Sequence, residues 1–501
     1  MADGWPTQQP AIVVITAQGA QVSGLPTQID GIPVEVRTAT DVEQLRLTQP
    51  ETYRKIADRH VEFRDGAFPE LDPKTEKAPG VAELEDLGIE TLSTKPQLPY
   101  TGPKNTALTP VTGNLTVVCH ASPDAGWPTL KTFLEGTQAT LTIGLYDFTS
   151  AHILEGLQNA MLGKGKLTIT LDNPSKNPTA DQTDKETLQA LSDSLGEDFA
   201  SAWALVRSNK AVPTWIYPTA YHIKVAVRDS NAVWLSSGNW NNSNQPDFDP
   251  IGSPTANDQK IAAKSDRDWH VIMENAKLAQ TYEAFLKHDF DVASEEEGGA
   301  NAELQSADDE LQLPDLLRAS TKQGFEFHKP LRLQNEHMTI TPLLTPDPGV
   351  YQAAMLNLVK SATTKLYIQL QYIHPSDKED GFKELIDALV EKIAEGVDVR
   401  IILSQWQQTN GWLERLQAAG VDLAVVKIQN GVHNKGFVVD SKVVALGSQN
   451  WSDEGVLNNR DASVIIQNAK AAGYYEQIFT HDWTRLAAQG HSSAAKATGG
   501  E

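Results

Sequence analysis

His222-Ile223-Lys224-Val225-Ala226-Val227-Arg228-Asp229 and His433-Asn434-Lys435-Gly436-Phe437-Val438-Val439-Asp440 are two copies of one pattern, His-x-Lys-x4-Asp, offset by 211 residues at all three positions. The same offset carries Ser237-Gly238-Asn239-Trp240 onto Ser448-Gln449-Asn450-Trp451. One such pattern arises readily by chance, but two with the same downstream Ser-x-Asn-Trp do not. A carboxylate follows in each copy. Asp461, in Asn459-Arg460-Asp461, lies 28 residues after His433, and Asp268, in Asp266-Arg267-Asp268, lies 46 after His222. The extra 18 residues fall in a Pro/Asn/Asp-rich stretch near 245–260, where a surface loop absorbs an insertion without displacing the carboxylate.

Outward from these copies the chain repeats itself. Leu141-Thr142-Ile143-Gly144-Leu145 and Leu366-Tyr367-Ile368-Gln369-Leu370 read as strands. A helix follows each, over 150–162 and 382–394, and then a further strand over 166–171 and 397–403. Strand–helix–strand units predict parallel pairing with right-handed crossovers. The expected fold class is α/β: two similar βαβ-rich lobes packed about a pseudo-two-fold with the active site between them, plus a small N-terminal α/β region. The expected boundaries are 1–110 for that region, 111–290 and 331–488 for the lobes, 291–330 for a linker and 489–501 for a tail. In the N-terminal region 11–16 reads as a buried strand, and 32–36 as an edge strand because Pro33 cannot donate to a ladder. The linker holds nine acidic residues between Asp291 and Asp315 and no Lys or Arg, which reads as a solvated, mobile connection.

The 501 residues carry 42 Lys plus Arg against 65 Asp plus Glu, a net charge of -23, which argues against broad binding to nucleic acid. Without the nine linker acids the charge is -14, so much of the acidity lies outside the lobes. Cys119 is the only cysteine, which excludes an intramolecular disulfide and any multi-cysteine metal site. No secretory signal and no apolar run long enough to span a bilayer is visible, so a cytoplasmic location is expected.

The duplicated residues point to phosphate chemistry. On a strand, His222 and Lys224 share one face while Ile223, Val225 and Val227 occupy the other. The returning strand then delivers Ser237 and Asn239 beside them, and Ser448 and Asn450 beside His433 and Lys435. Lys224 and Lys435 supply point charges, and Asn239, Asn450, Ser237 and Ser448 supply donors for non-bridging phosphate oxygens. Packing the lobes about an approximate two-fold would place the two histidines on opposite sides of one phosphorus. One would attack it in line to form a phosphohistidine, and the other would protonate the leaving oxygen. Asp268 or Asp461 on the far ring nitrogen would fix the tautomer. No metal or other cofactor is expected.

Over residues 111–488 these motifs resemble the phospholipase D superfamily, whose signature is the duplicated HKD motif. The resemblance implies that His222 and His433 are the catalytic pair, with His222 the nucleophile and His433 the acid/base. It also implies that Lys224, Lys435, Asn239 and Asn450 bind phosphate and that Asp268 and Asp461 support the histidines. Asp229 and Asp440 are the motif aspartates, counted with the catalytic set but with a role more structural than chemical. The implied reaction is metal-independent hydrolysis of a phospholipid head group, or transfer of the phosphatidyl group to an alcohol, with transient contact to a membrane surface. A nuclease on the same plan, which the net charge disfavours, and a phospholipid synthase of cardiolipin or phosphatidylserine type are the alternatives. Outside this set, His120 and His270 read as satisfied structural histidines, Cys119 as buried packing, and Trp240 and Trp451 as core. Ser122-Pro123-Asp124 and Thr345-Pro346-Asp347 read as entrance residues or helix caps.

Overall fold

The computed structural model describes residues 12–16, 28–29, 32–38, 100–172, 181–206, 214–215, 217, 220–294, 324–347, 349–375, 381–405, 407 and 412–489. The N-terminal strands are β1 (Ile12–Thr16), β2 (Gln28–Ile29) and β3 (Ile32–Thr38), in the order β1-β3-β2. β3 is therefore central, against the expected edge position. Pro33 is tolerated there because pairing with β1 begins only at Val34, so that side needs no N–H from Pro33. Residues 39–99, the acidic run from Glu295 to Asp315 and the tail beyond 489 lie outside the described residues.

In the first lobe, chain order gives β4 (Val111–Ser122), α1 (Gly126–Glu135), β5 (Thr140–Leu145), α2 (Ala151–Met161), β6 (Lys166–Leu171), α3 (Asp184–Leu195) and β7 (Phe199–Trp203). Two short strands, β8 (Leu205–Val206) and β9 (Thr214–Trp215), pair only with each other. Then come β10 (Lys224–Arg228), β11 (Ala232–Ser236), α4 (Ala256–Ala262), β12 (Asp268–Glu274) and α5 (Ala276–Ser294). The second lobe runs β13 (Leu331–Thr345), α6 (Val350–Ser361), β14 (Lys365–Leu370), α7 (Gly381–Ala394), β15 (Asp398–Ser404), α8 (Trp412–Ala418) and β16 (Val426–Gln429). It ends with β17 (Lys435–Val439), β18 (Val443–Gly447), β19 (Asp461–Gln467), α9 (Ala469–His481) and β20 (Ala488–Gln489).

Among the described residues, fifteen strands make one sheet in the order β20-β16-β15-β14-β17-β18-β19-β13-β4-β12-β11-β10-β5-β6-β7. Read outward from the antiparallel β4–β13 seam, the two halves follow one plan, a three-strand antiparallel run and then the strand–helix–strand units, and β20 adds one more strand at the edge of the second half. β5–β6–β7 and β14–β15–β16 pair in parallel, as the repeats predict. The lobes thus join edge to edge into one continuous mixed α/β sheet.

Alternation decides the layers. Cys119, Ile223, Val225, Val227, Trp269, Leu344 and Val464 enter one core that spans both lobes beneath α5 and α9. Residues of the opposite face, such as Ile272 in one lobe and Leu343 and Ile465 in the other, enter two outer cores under α1–α3 and α6–α8. Trp240 and Trp451 are fully buried in these outer cores. Each sits edge-on or tilted to a neighbouring Phe, Phe148 or Phe437, with ring centroids 4.9 Å apart.

Both ends of the expected linker are anchored among the described residues. α5 continues through Ser294, and the far end is docked: the Phe325 N–H donates to Gln259 Oε1 at 2.7 Å, Gln259 Nε2 donates to Phe325 O at 2.9 Å, and the His328 N–H donates to Asp124 Oδ1 at 2.8 Å.

Candidate active site

The expected strand from His222 to Val227 begins two residues later, and so does its counterpart. Lys224 pairs with Leu145 and Lys435 with Leu370, and both histidines precede the ladder. There the backbone is held by the opposite lobe. The His433 N–H donates to Arg267 O at 3.1 Å, and the Arg460 N–H donates to Ala220 O at 2.9 Å. Both histidines are about 95% buried, and both lysines lie beneath them: Lys224 Nζ donates to His222 O at 2.9 Å and Lys435 Nζ to His433 O at 2.7 Å.

The carboxylates cross over. His222 Nδ1 lies 2.8 Å from Asp461 Oδ1 and His433 Nδ1 lies 2.9 Å from Asp268 Oδ1. Each imidazole is thus oriented by the other lobe, and its Nε2 is left facing away from the carboxylate. Burial alone would raise Asp268, but His433 beside it holds the carboxyl down at about 2.

Ser237 and Ser448, expected to bind phosphate, each hydrogen-bond to a carboxylate. Ser237 Oγ donates to Asp268 Oδ1 at 2.7 Å, and Ser448 Oγ donates to Asp461 Oδ1 at 2.5 Å. A hydroxyl has one proton, and here the carboxylate receives it. The same bonds hold the 236–239 loop, with buried Asn239, against Asp268 and the 447–450 loop, with buried Asn450, against Asp461. Tyr146 meets His222 edge-on at 5.0 Å and lies 5.2 Å from Lys224 Nζ. Gln371 Oε1, at the matching position of the second lobe, faces Lys435 Nζ at 3.4 Å.

Asp229 and Asp440 stand at the far end of the histidine-bearing strands, five residues beyond the lysines, and are not part of the reacting set. Each occupies the left-handed region (φ 52° and 51°) at the first position of a type I′ turn. Asp229 accepts the N–H groups of Gln138, Ala139 and Thr140, and Asp440 those of Thr363, Thr364 and Lys365. Burial pushes both carboxyls up, and these donors outweigh it and hold them below the usual range.

The largest group that sequence reasoning missed is a pair of buried ionic brackets. Arg267, next to Asp268, pairs with Asp482 at 2.8 Å and with Asp124. Arg460, next to Asp461, pairs with Asp289 at 2.6 Å and with Asp347 at 3.3 Å. Asp124 and Asp347 are thus ion-pair partners, and neither α1 nor α6 has a side-chain cap. The available signal was the Arg-Asp dipeptide present in both copies.

His270 is satisfied, by Ser236 Oγ at 2.6 Å and Ser122 Oγ at 2.9 Å. His120 is not: Nδ1 reaches Val118 O at 3.4 Å and Nε2 has no partner among the described residues. Burial pushes the His270 imidazole down to about 4 and His120 well below its usual value. Between the unfolded value of about 6.5 and about 4, only the unfolded chain binds these protons. Stability is therefore expected to fall with pH through that window, by up to about 1.4 kcal/mol per pH unit for each histidine. In urea unfolding from pH 7 to pH 5, His120→Leu, which copies Leu343 of the second lobe, should reduce that slope by one histidine's share. An unchanged slope would show that His120 protonates in the folded protein. Cys119 is buried, and burial pushes its thiol up to about 12.

Among the described residues no helix is long and apolar enough to cross a membrane, and no group of three or more His, Cys, Asp or Glu is placed to hold a metal ion.

Residues 355–483 match the family model described as cardiolipin synthase, PLD-like domain. The chain is 35% identical to a phospholipase D of Rickettsia conorii over 157 residues, which is 29% of this chain and 74% of that protein. It is 31% identical to a phospholipase D of Rickettsia bellii over 108 residues, 21% of this chain, and so spans only about half (53%) of that relative's length. A solved phosphatidylserine synthase of Haemophilus influenzae superposes with a TM-score of 0.49 at 13% identity, covering 75% of this chain and 90% of that one.

Proposed function

The chain belongs to the phospholipase D superfamily, and from that premise we propose that it is a phosphodiesterase that works through a phosphohistidine. One histidine attacks phosphorus in line as the bond to the leaving oxygen breaks, and the other gives that oxygen its proton. The second histidine then takes a proton from water or an alcohol. The oxygen so activated attacks phosphorus and releases the first histidine. Lys224, Lys435, Asn239 and Asn450 carry the negative charge on the non-bridging oxygens of the five-coordinate phosphorus. Asp268 and Asp461 hold the Nδ1–H tautomers, so that each Nε2 does the chemistry. The observation that carries this reading is the crossed pairing, His222 with Asp461 and His433 with Asp268, which makes one site out of two lobes.

The substrate proposed is a phospholipid, hydrolysed at its head group or transferred to an alcohol. The names of the Rickettsia relatives support this, and the net charge of -23 disfavours a polyanionic substrate. The test is an assay in EDTA with phosphatidylcholine plus ethanol, single-stranded DNA and an aryl phosphodiester. Release of choline with formation of phosphatidylethanol is expected. Strand cleavage with no lipid turnover would replace the lipid reading with a nuclease, and loss of all activity in EDTA would contradict the mechanism.

A further inference from the structure

The arginine beside each histidine-orienting carboxylate is tied to the backbone just ahead of the histidine it serves. The Arg460 N–H donates to Ala220 O at 2.9 Å, two residues before His222, and the Arg267 N–H donates to Gly431 O at 2.6 Å, two residues before His433. The guanidinium fixes the other side. Arg460 donates to Asp289 through Nε at 2.9 Å and Nη2 at 2.6 Å, and through Nη1 to Thr345 O at 3.1 Å and Asp347 at 3.3 Å. Thr345 Oγ1 in turn accepts the Asp461 N–H at 3.1 Å. Where Arg460 sits therefore sets where Asp461 and the residues leading into His222 sit.

Both guanidinium groups are covered by an aromatic ring from the segment that leads into a lobe. The Tyr100 ring centroid, ahead of β4, lies 5.6 Å from Arg460 Cζ, with Tyr217 at 4.8 Å and Phe285 at 5.5 Å. The Phe325 ring centroid, ahead of β13, lies 5.6 Å from Arg267 Cζ. The covers cross over as the carboxylates do: Tyr100 leads into the first lobe and covers an arginine of the second, and Phe325 does the reverse. The two are not counterparts in the repeat. The 223-residue offset that carries Asp124 onto Asp347 sets Phe325 against Gly102, so two differently built segments end over the same group. Each segment is held by the residue before a bracket aspartate. His288, next to Asp289, donates from Nε2 to Thr101 O at 2.7 Å, and His481, next to Asp482, accepts the Glu326 N–H at Nε2 at 3.2 Å.

Resting on the phosphodiesterase reading, we propose that Tyr100 and Phe325 are positioning residues, Tyr100 for the His222–Asp461 pair and Phe325 for the His433–Asp268 pair, each acting by closing the bracket behind the carboxylate. A ring face attracts a guanidinium and keeps water from it. The ion pairs beneath it then act in a low dielectric and hold the arginine in one place. Water let into the bracket offers the arginine other partners, and the carboxylate one residue along moves with it. The Arg460 bracket depends more on its cover. Asp347 is 15% exposed, whereas Asp124 is fully buried and also accepts the His328 N–H at 2.8 Å. The segment that leads in from the N-terminal region is thus part of what makes the site work.

The test follows the two Nδ1 protons, between His222 and Asp461 and between His433 and Asp268, by 1H NMR in the resting full-length protein labelled with 15N-histidine. The signals are assigned from His222→Asn and His433→Asn. In Tyr100→Ala the His222 proton is expected to exchange with water at least about tenfold faster, and the His433 proton at the parent rate. Phe325→Ala should do the reverse, with a smaller change. Tyr100→Phe keeps the ring and should restore the parent exchange. On the aryl phosphodiester, Tyr100→Ala should lose about tenfold in kcat with KM unchanged, since the phosphate-binding side chains stay in place. A merely structural role would speed both protons together. That result, no acceleration of either proton, or Tyr100→Phe behaving as Tyr100→Ala would overturn the proposal. If Tyr100→Ala does not fold, Phe325→Ala decides on the same two protons. The protons are read without turnover, so a protein inactive on every phosphodiester would sink the function reading and leave this one to its own result.

Discussion

Asparagine at His222 or at His433 is expected to lower kcat on the lipid substrate by at least about three orders of magnitude, with both variants folded. Each histidine has a step that nothing else in the site performs, and each is held from the opposite lobe, by Asp461 or Asp268. Asparagine nearly fills the ring's inner half and can still donate to the carboxylate, so the fold survives while Nε2 is lost. The two losses should not multiply in the double variant, because the histidines act as one unit. Asp440→Asn is the contrast. It removes a carboxylate that accepts backbone N–H groups of Thr363, Thr364 and Lys365, so it should cost about 1–3 kcal/mol of stability and leave kcat unchanged. Either histidine variant remaining near the parent rate would separate the lobes into two independent sites.

The second large effect is on stability. Arg267→Ala leaves Asp124 and Asp482, both fully buried, without their cation. Removing one member of a buried ionic group costs about 3–5 kcal/mol, because the remaining charge stays desolvated. The bracket also joins distant parts of the chain: Asp124 follows β4, Arg267 opens β12 and Asp482 follows α9. Denaturant unfolding should show the loss, and activity should fall with it, since Arg267 sets the backbone that carries Asp268 and accepts the His433 N–H. Arg267→Met tests the cause. It fills the space without the charge and should be no better than alanine, because the two carboxylates remain. Full stability in Arg267→Ala would mean that water reaches these carboxylates.

The two lobes were legible because their strands obey strict alternation. Ile223, Val225 and Val227 face one core, and the helix over 381–394 places Leu385, Ile386 and Leu389 in another. The duplicated motifs likewise marked His222, Lys224, His433 and Lys435. What the sequence did not reveal is chiefly what crosses between lobes. Nothing local to His222 says that its carboxylate is Asp461, 239 positions away, and nothing near Arg267 points to Asp482, 215 positions away. The carboxylate partners of Ser237 and Ser448 were not legible either, because a hydroxyl suits a phosphate and a carboxylate equally.

The central claim is that both lobes build one site that acts through a covalent phosphohistidine. The direct measurement is a rapid alkaline quench during turnover of a 32P-labelled phosphodiester in EDTA, with the label then located by peptide mapping. The account predicts base-stable, acid-labile label at up to one equivalent per chain, on His222 or His433. Label on any other side chain, or turnover with no covalent label at all, would contradict the account.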